Sequence, residues 1–111
     1  MSKDVTRLFP FVLRARKLIV GRERLERSKR DLQLVIITED ISVNSKAEIL
    51  KTFEHYPIVQ HFTTDDIDAH FNVKNTKVIG ISKSSLATSI YAELKQYRIN
   101  KPEVTGTKKA E

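Results

Sequence analysis

The chain has 111 residues, 40% hydrophobic and 31% charged, the length and composition of one globular domain with a single core. It has no cysteine, which excludes a disulfide scaffold, thiolate zinc sites and cysteine nucleophiles together, and no apolar run approaches the roughly 20 residues of a membrane helix. The net charge of +6 is segregated: residues 1–30 carry ten bases and three acids, 31–70 two bases and eight acids, 71–111 eight bases and three acids, which predicts one basic and one acidic face, the former attractive to polyanions.

The N-terminal SKDVTRLF, with Asp4 and no apolar region before Pro10, predicts no signal peptide, and the cytoplasm is the default compartment. Val5, Leu8, Phe9, Val12 and Ala15 recur at helical spacing. Pro10 interrupts them, so either the helix begins near Phe9 with Pro10 in its first turn or a longer helix kinks there. Leu18-Ile19-Val20 is a short strand that stops at Gly21, the first glycine of the chain. Residues 22–30, RERLERSKR, suit a helix, yet Leu25 is their only large apolar side chain, so that helix lies at an edge. Leu32 to Ile37 is a near-continuous apolar run, as in a strand buried on both faces.

Ser42, Asn44 and Ser45 offer caps for the next helix, and Ser45 with Glu48 fits a capping box. That helix carries Ala47, Ile49, Leu50 and Phe53, and Pro57 ends the region. Ile58, Val59 and Phe62 read as a strand. Thr63-Thr64-Asp65-Asp66 starts a helix carrying Ile67, Ala69 and Phe71. The polar connection NVKNTK, Asn72 to Lys77, leads to a last strand, Val78 to Ile81. Ser82 or Ser84 caps a final helix with the stripe Leu86, Ala87, Ile90, Leu94, Tyr97. The order α-β-α-β-α-β-α-β-α predicts an α/β domain over residues 1–98, a small sheet covered by helices on both faces. Residues 99–111 read as a flexible basic tail.

Catalytic and metal chemistry are not legible. His55, His61 and His70 have no metal-ligand spacing, and acids at a helix start explain Asp65 and Asp66 better than a cation does, Asp68 remaining a formal candidate. Glu39-Asp40, at the end of a buried strand, is placed either for a ligand or to cap the next loop through backbone amides. No phosphate loop or nucleophile elbow is present. The sequence thus predicts a non-enzyme without cofactor, metal, small-molecule substrate or membrane partner.

The basic unit after Gly21 is the strongest functional signal. Gly21 permits close backbone approach, and the following helix start points free N–H groups at the same place. Arg22, Arg24, Arg27, Lys29 and Arg30 surround it, and arginine forks pair with phosphate or guanine edges. The bland alternative is a solvated helix in which Glu26 bridges neighbouring bases.

The succession RARKLIVG, LQLVIITEDIS with NSKAEI, and KVIGISKSSLATSI resembles the ribosomal L-seven-Ae / L-thirty-e superfamily of RNA-binding proteins over roughly residues 5–97. The resemblance implies a three-layer α-β-α sandwich with a small mixed sheet. It also implies contact with structured RNA, such as ribosomal RNA or the ribosome; the chain is expected to be monomeric on its own. Members that bind kink-turn RNA use a glycine, a small residue, asparagine, glutamate and, three positions later, lysine. Here Gly21 matches the glycine, while Glu23, Arg24 and Arg27 stand at the asparagine, glutamate and lysine positions. Arg16 stands where many bacterial relatives have glycine. The loop Asn72 to Lys77 matches the family's second RNA-contacting loop, with Lys74, Asn75 and Lys77 in reach of phosphate or a splayed base. Glu23 only accepts and Arg24 only donates, which disfavours the usual kink-turn contacts. The alternative is a protein-interaction or regulatory module that keeps the fold and has lost RNA recognition.

Overall fold

A computed structural model describes residues 5–100. A 3-10 turn, Val5–Leu8, leads into α1 (Phe9–Arg14) with Pro10 in its first turn, the first of the two arrangements expected at that proline. Then follow β1 (Leu18–Val20), α2 (Arg22–Arg27), a 3-10 turn at Lys29–Asp31, β2 (Leu32–Ile37), α3 (Val43–Thr52), β3 (Ile58–Gln60), α4 (Thr64–Phe71), β4 (Val78–Ser82) and α5 (Ser85–Leu94). The element order is the one the hydrophobic periodicity predicts.

The four strands form one mixed sheet in the order β1-β4-β2-β3. β4 runs antiparallel to both β1 and β2, and β2 is parallel to β3. One face packs Leu34, Ile36, Ile79 and Ile81 against Phe9 and Val12 of α1, Ile67 and Phe71 of α4, and Ile90 and Leu94 of α5. The other packs Ile19, Val35, Ile37 and Val78 against Leu25 of α2, Ile49 of α3 and Phe53. With a core on each face, β2 has almost no polar residue, as expected of a strand without a wet side.

One local feature departs from simple alternation. Leu32 pairs with Ser82 while Leu34 pairs with Ile81, a register shift of one residue. The bulge turns Leu32 to the α2–α3 face, although Leu34 and Ile36 face α1, α4 and α5. Gln33 then reaches α5: its amide donates to Thr88 Oγ1 at 2.8 Å and its Oε1 accepts from Ser84 N at 3.1 Å.

The helix starts follow side-chain chemistry. Ser42, not Ser45, caps α3, its hydroxyl accepting from Ser45 N at 3.2 Å. Thr63 and Asp66 form a reciprocal capping box on α4, and Ser84 caps α5. Phe62, expected in β3, follows it in the left-handed region at φ 63, with its ring edge-on to Phe9 at 5.6 Å. Past α5 a 3-10 turn carries Tyr97. Arg98 pairs with Val59, and Ile99 N–H donates to the Ile58 carbonyl at 2.9 Å, so the chain closes along β3. Residues 101–111, the rest of the expected tail, lie outside those described.

Candidate nucleic-acid interface

The strand directions bring Gly21 and the Asn72–Lys77 connection to one end of the sheet, here called the upper end. β1 leaves the sheet at Val20, opposite Ile79, and Gly21 N–H donates to the Val78 carbonyl at 3.3 Å. From the other side Thr38 N–H donates to the Lys77 carbonyl at 3.0 Å. Gly21, Lys77-Val78 and Thr38 are therefore successive along one rim. Gly21 adopts φ 92, ψ 145 at the N-cap of α2, a conformation essentially reserved to glycine. A Cβ there would meet nothing within 4 Å, so the glycine answers a torsional need and leaves open space beside the backbone.

α2 is shorter than residues 22–30 suggest. It ends at Arg27, and so brief a helix contributes little dipole, which leaves the side chains to carry the charge argument. Leu25 is fully buried and anchors it. Arg22 is drawn inward to α3, where its guanidinium donates to Glu48, with Glu26 at 3.4 Å. The Glu48 hydrogen bond and both carboxylates hold its pKa above the ordinary arginine value. The sequence suggested Glu26 as the bridging acid; Glu48, 26 residues away, is the stronger partner. Glu23, Arg24 and Arg27 are exposed, and among the described residues Arg24 and Arg27 have no ion pair or side-chain hydrogen bond.

The Asn72–Lys77 connection is held in shape by Asp68. Its carboxylate accepts from Asn75 N at 2.9 Å and from Thr76 N at 3.1 Å. Asn72 closes α4 in the left-handed region at φ 56, and Asn75 repeats that conformation at φ 53, which asparagine tolerates better than most residues. Lys74 and Asn75 are exposed at the tip. Asp68, formally a cation ligand in the sequence, is thus a loop anchor. Its only sequence signal is a carboxylate seven or eight residues before the amides it binds.

Lys77 is exposed but committed. Its Nζ donates to Thr64 Oγ1 at 3.0 Å, and that hydroxyl donates to Asp40 Oδ1 at 2.7 Å. Thr64 N also donates to Asp40, at 3.2 Å. The Thr64 hydroxyl is the main reason that the Asp40 pKa lies below its ordinary value. Thr38 acts in the same direction, although its buried Oγ1 has no partner within hydrogen-bonding distance. Asp40 therefore takes the capping role, through the first residue of α4. Glu39 lies 3.8 Å from Nδ1 of His61. His61 stacks on Tyr97 at 3.8 Å, His70 lies against Phe9 at 5.4 Å, and His55 neighbours Glu54. No cluster of metal-ligating side chains occurs among the described residues, nor is any helix there long and apolar enough to cross a membrane.

Lys29 and Arg30 do not join this rim. The chain has by then descended α2, and Lys29–Asp31 sits where β2 begins, the opposite end of the sheet. The Lys29 ammonium lies 5.3 Å from the Phe53 ring centroid, and its carbonyl accepts from Tyr56 at 2.8 Å. The structure thus sets Gly21 beside Lys77-Val78, the end of the loop that carries Lys74 and Asn75, and sets Lys29 and Arg30 apart.

These layers and this strand order define a three-layer α-β-α sandwich with a small mixed sheet. The structure is similar to that of a protein of unknown function from Bacillus halodurans, with TM-score 0.74 and 19% identity over 82% of this chain and 96% of that one. It is also similar to a 15.5 kDa RNA-binding protein of Giardia lamblia, with TM-score 0.64 and 16% identity over 87% of this chain and 92% of that one. At these identities the likeness is one of fold. No protein-family model and no curated protein matches the sequence.

Proposed function

We propose that the chain is a small non-catalytic RNA-binding protein of the cytoplasm, contacting structured RNA, ribosomal RNA included, through the upper end of the sheet. The observation that carries this reading is the junction of Gly21 with a preshaped polar loop. The Gly21 N–H···Val78 bond, beside the loop whose Asn75 and Thr76 amides Asp68 holds, supports a contact there through an open backbone and the exposed Lys74 and Asn75, with the exposed Arg24 and Arg27 following on α2. A similar fold in an RNA-binding protein of Giardia lamblia supports it. Arg24 and Arg27 supply unpaired forks for phosphate, and Lys74 a point charge. Arg22 and Lys77, satisfied within the protein, position the rim. Arg24 donates where kink-turn binders accept, so the reading is structured RNA in general and not the kink-turn.

The test is binding of a labelled RNA hairpin with an asymmetric internal loop, followed over a salt series. The expected result is affinity that falls steeply with salt. The triple change Arg24→Gln, Arg27→Gln, Lys74→Gln should weaken binding on the order of 10- to 100-fold at low salt. Unchanged affinity in that variant removes the site.

One observation favours a second reading, a protein-interaction module. Ile41, Val43, Ala47 and Leu50 line an open apolar groove beside Gln60, and Val43 is 82% exposed. Ribonuclease-resistant co-purification with a protein, abolished by Val43→Asp, would support it over the RNA reading.

A further inference from the structure

The lower end of the sheet, where β1 and β2 begin and β4 ends, gathers cations from three distant parts of the sequence. Ser82 N–H donates to the Lys17 carbonyl at 2.9 Å, and Lys83 N–H donates to the Asp31 carbonyl at 2.7 Å. These bonds place Arg16-Lys17, Arg30-Asp31 and Lys83 side by side. Arg16, Arg30 and Lys83 are exposed and Lys17 is half-buried. None of the four cations has an ion pair or side-chain hydrogen bond among the described residues, and Asp31 is the one acid within the cluster. Some other cations of the chain are satisfied internally, Arg22 by Glu48 and Glu26 and Arg98 by Tyr91 and Asn100. Four cations around a single acid repel one another, so this end is unfavourable for the free chain and favourable once an anion covers it.

Arg16 adds a second observation. It sits at φ 58 in the left-handed region, where glycine would be unstrained and arginine is not. A costly residue is kept at the point where the cluster turns into β1. Two residues back, Arg14 lies 5.6 Å over the ring of Phe11, which is 49% exposed, a flat surface on which an unpaired base can stack.

We propose that the lower end is a second RNA-binding surface, so that one copy of the chain holds two backbone segments at once, one at each end of the sheet. This rests on the RNA reading of the upper end. The two surfaces are separated by the length of β2, six residues, or roughly 17 Å at the rise of a strand. Arg16 and Arg30 present forks that match phosphate oxygens, and Lys17 and Lys83 neutralise neighbouring phosphates. All four lie just outside the strand ends, where the Ser82–Lys17 and Lys83–Asp31 backbone bonds tie the three segments together.

The test uses the full chain and two copies of the same RNA hairpin with an internal loop, one immobilised and one fluorescent. Wild-type protein should retain the fluorescent hairpin on the immobilised one. The quadruple change Arg16→Gln, Lys17→Gln, Arg30→Gln, Lys83→Gln should still bind a single hairpin, lose retention, and show a salt slope shallower by about 3 to 4 units, near 0.9 per lost phosphate contact. The pair Arg16→Glu, Lys83→Glu gives the same readout if the quadruple variant melts at a lower temperature. Retention and salt slope equal to wild type overturn the proposal. So does loss of binding to phosphatidylglycerol vesicles with RNA binding intact, which assigns the patch to lipid. The upper-end triple variant separates the two readings. If it binds RNA like wild type while the quadruple variant does not, the upper site falls and the lower stands. If wild type binds no hairpin, both fall.

Discussion

A Cβ built on Gly80 would stand 2.2 Å from Leu25 Cδ2, and 2.7 Å from Cδ1 of Leu32. α2 therefore lies on the sheet because β4 carries no side chain beneath it. Leu25 is the one buried residue of α2, so this contact sets the height of the helix and, through it, the position of Gly21. Gly80→Ala should lower stability by about 1–3 kcal/mol, since both leucine ends are enclosed and cannot swing away. Leu25→Ala should cost about 2–5 kcal/mol by cavity formation. The double variant should cost less than the sum, because the new Cβ occupies space the leucine vacates. Urea unfolding of the three variants checks this; strict additivity would show that the two residues do not compete for one space.

Gly21 has the opposite cause. Nothing would touch a Cβ there, yet its φ of 92 is closed to side-chain-bearing residues. Gly21→Ala should cost about 1–3 kcal/mol of torsional strain, or relax by shifting the start of α2. Amide chemical shifts confined to residues 19–25 and 77–79 would show the second outcome, and wild-type stability with an unshifted spectrum would contradict both.

The contrast between these glycines shows what the sequence can and cannot display. Periodicity resolves the helices that bury an apolar face, while α2, with Leu25 as its one buried residue, is read from helix propensity, and the unbroken run in β2 announces a sheet covered on both sides. Glycine alone reports a constraint and not its kind: Gly21 reads correctly as a backbone need, while the steric role of Gly80 depends on two leucines 48 and 55 positions earlier. Charge is less legible still. The seven basic residues Arg22, Arg24, Arg27, Lys29, Arg30, Lys74 and Lys77 look equivalent until Glu48 takes Arg22, Thr64 takes Lys77 and the descent of α2 carries Lys29 and Arg30 to the far end. Those pairings arise from tertiary contact, to which local spacing is blind. Ser45 was similarly displaced as a cap because Ser42, three residues earlier, reaches the Ser45 amide first.

Asp68 should matter to RNA binding without touching RNA. It holds the amides of Asn75 and Thr76 from the last turns of α4. Asp68→Ala leaves those amides without their carboxylate and should speed their hydrogen exchange by about 10- to 100-fold, the worth of one or two charge-assisted hydrogen bonds. RNA affinity should fall several-fold as the loop loses its shape, with the salt slope unchanged because no phosphate contact is removed. Asp68→Asn, which keeps one acceptor, should lie between. A reduced salt slope in Asp68→Ala would instead mean that Lys74 or a neighbouring cation had been lost from the interface.

Asp40 supplies a pH dependence whose direction follows from its surroundings. Hydrogen bonds from Thr64, chiefly its hydroxyl, favour the carboxylate, so the folded pKa lies below the ordinary value of 3.8. A group depressed by folding contributes stability while it is ionised in both states. That contribution is present above the unfolded value and is lost as pH falls through the folded one. In Asp40→Asn the charge is absent at every pH. The wild type should therefore melt higher than the variant by a constant margin from neutral pH down to about 5, and the margin should shrink below about 4. Because Thr64 Oγ1 also accepts from Lys77, the same acid transition should release Lys77 from the rim, visible as a change in its Nζ-proton exchange over the same pH range. A melting difference that persists unchanged to pH 2.5 would assign the effect of the variant to packing and not to the charge of Asp40.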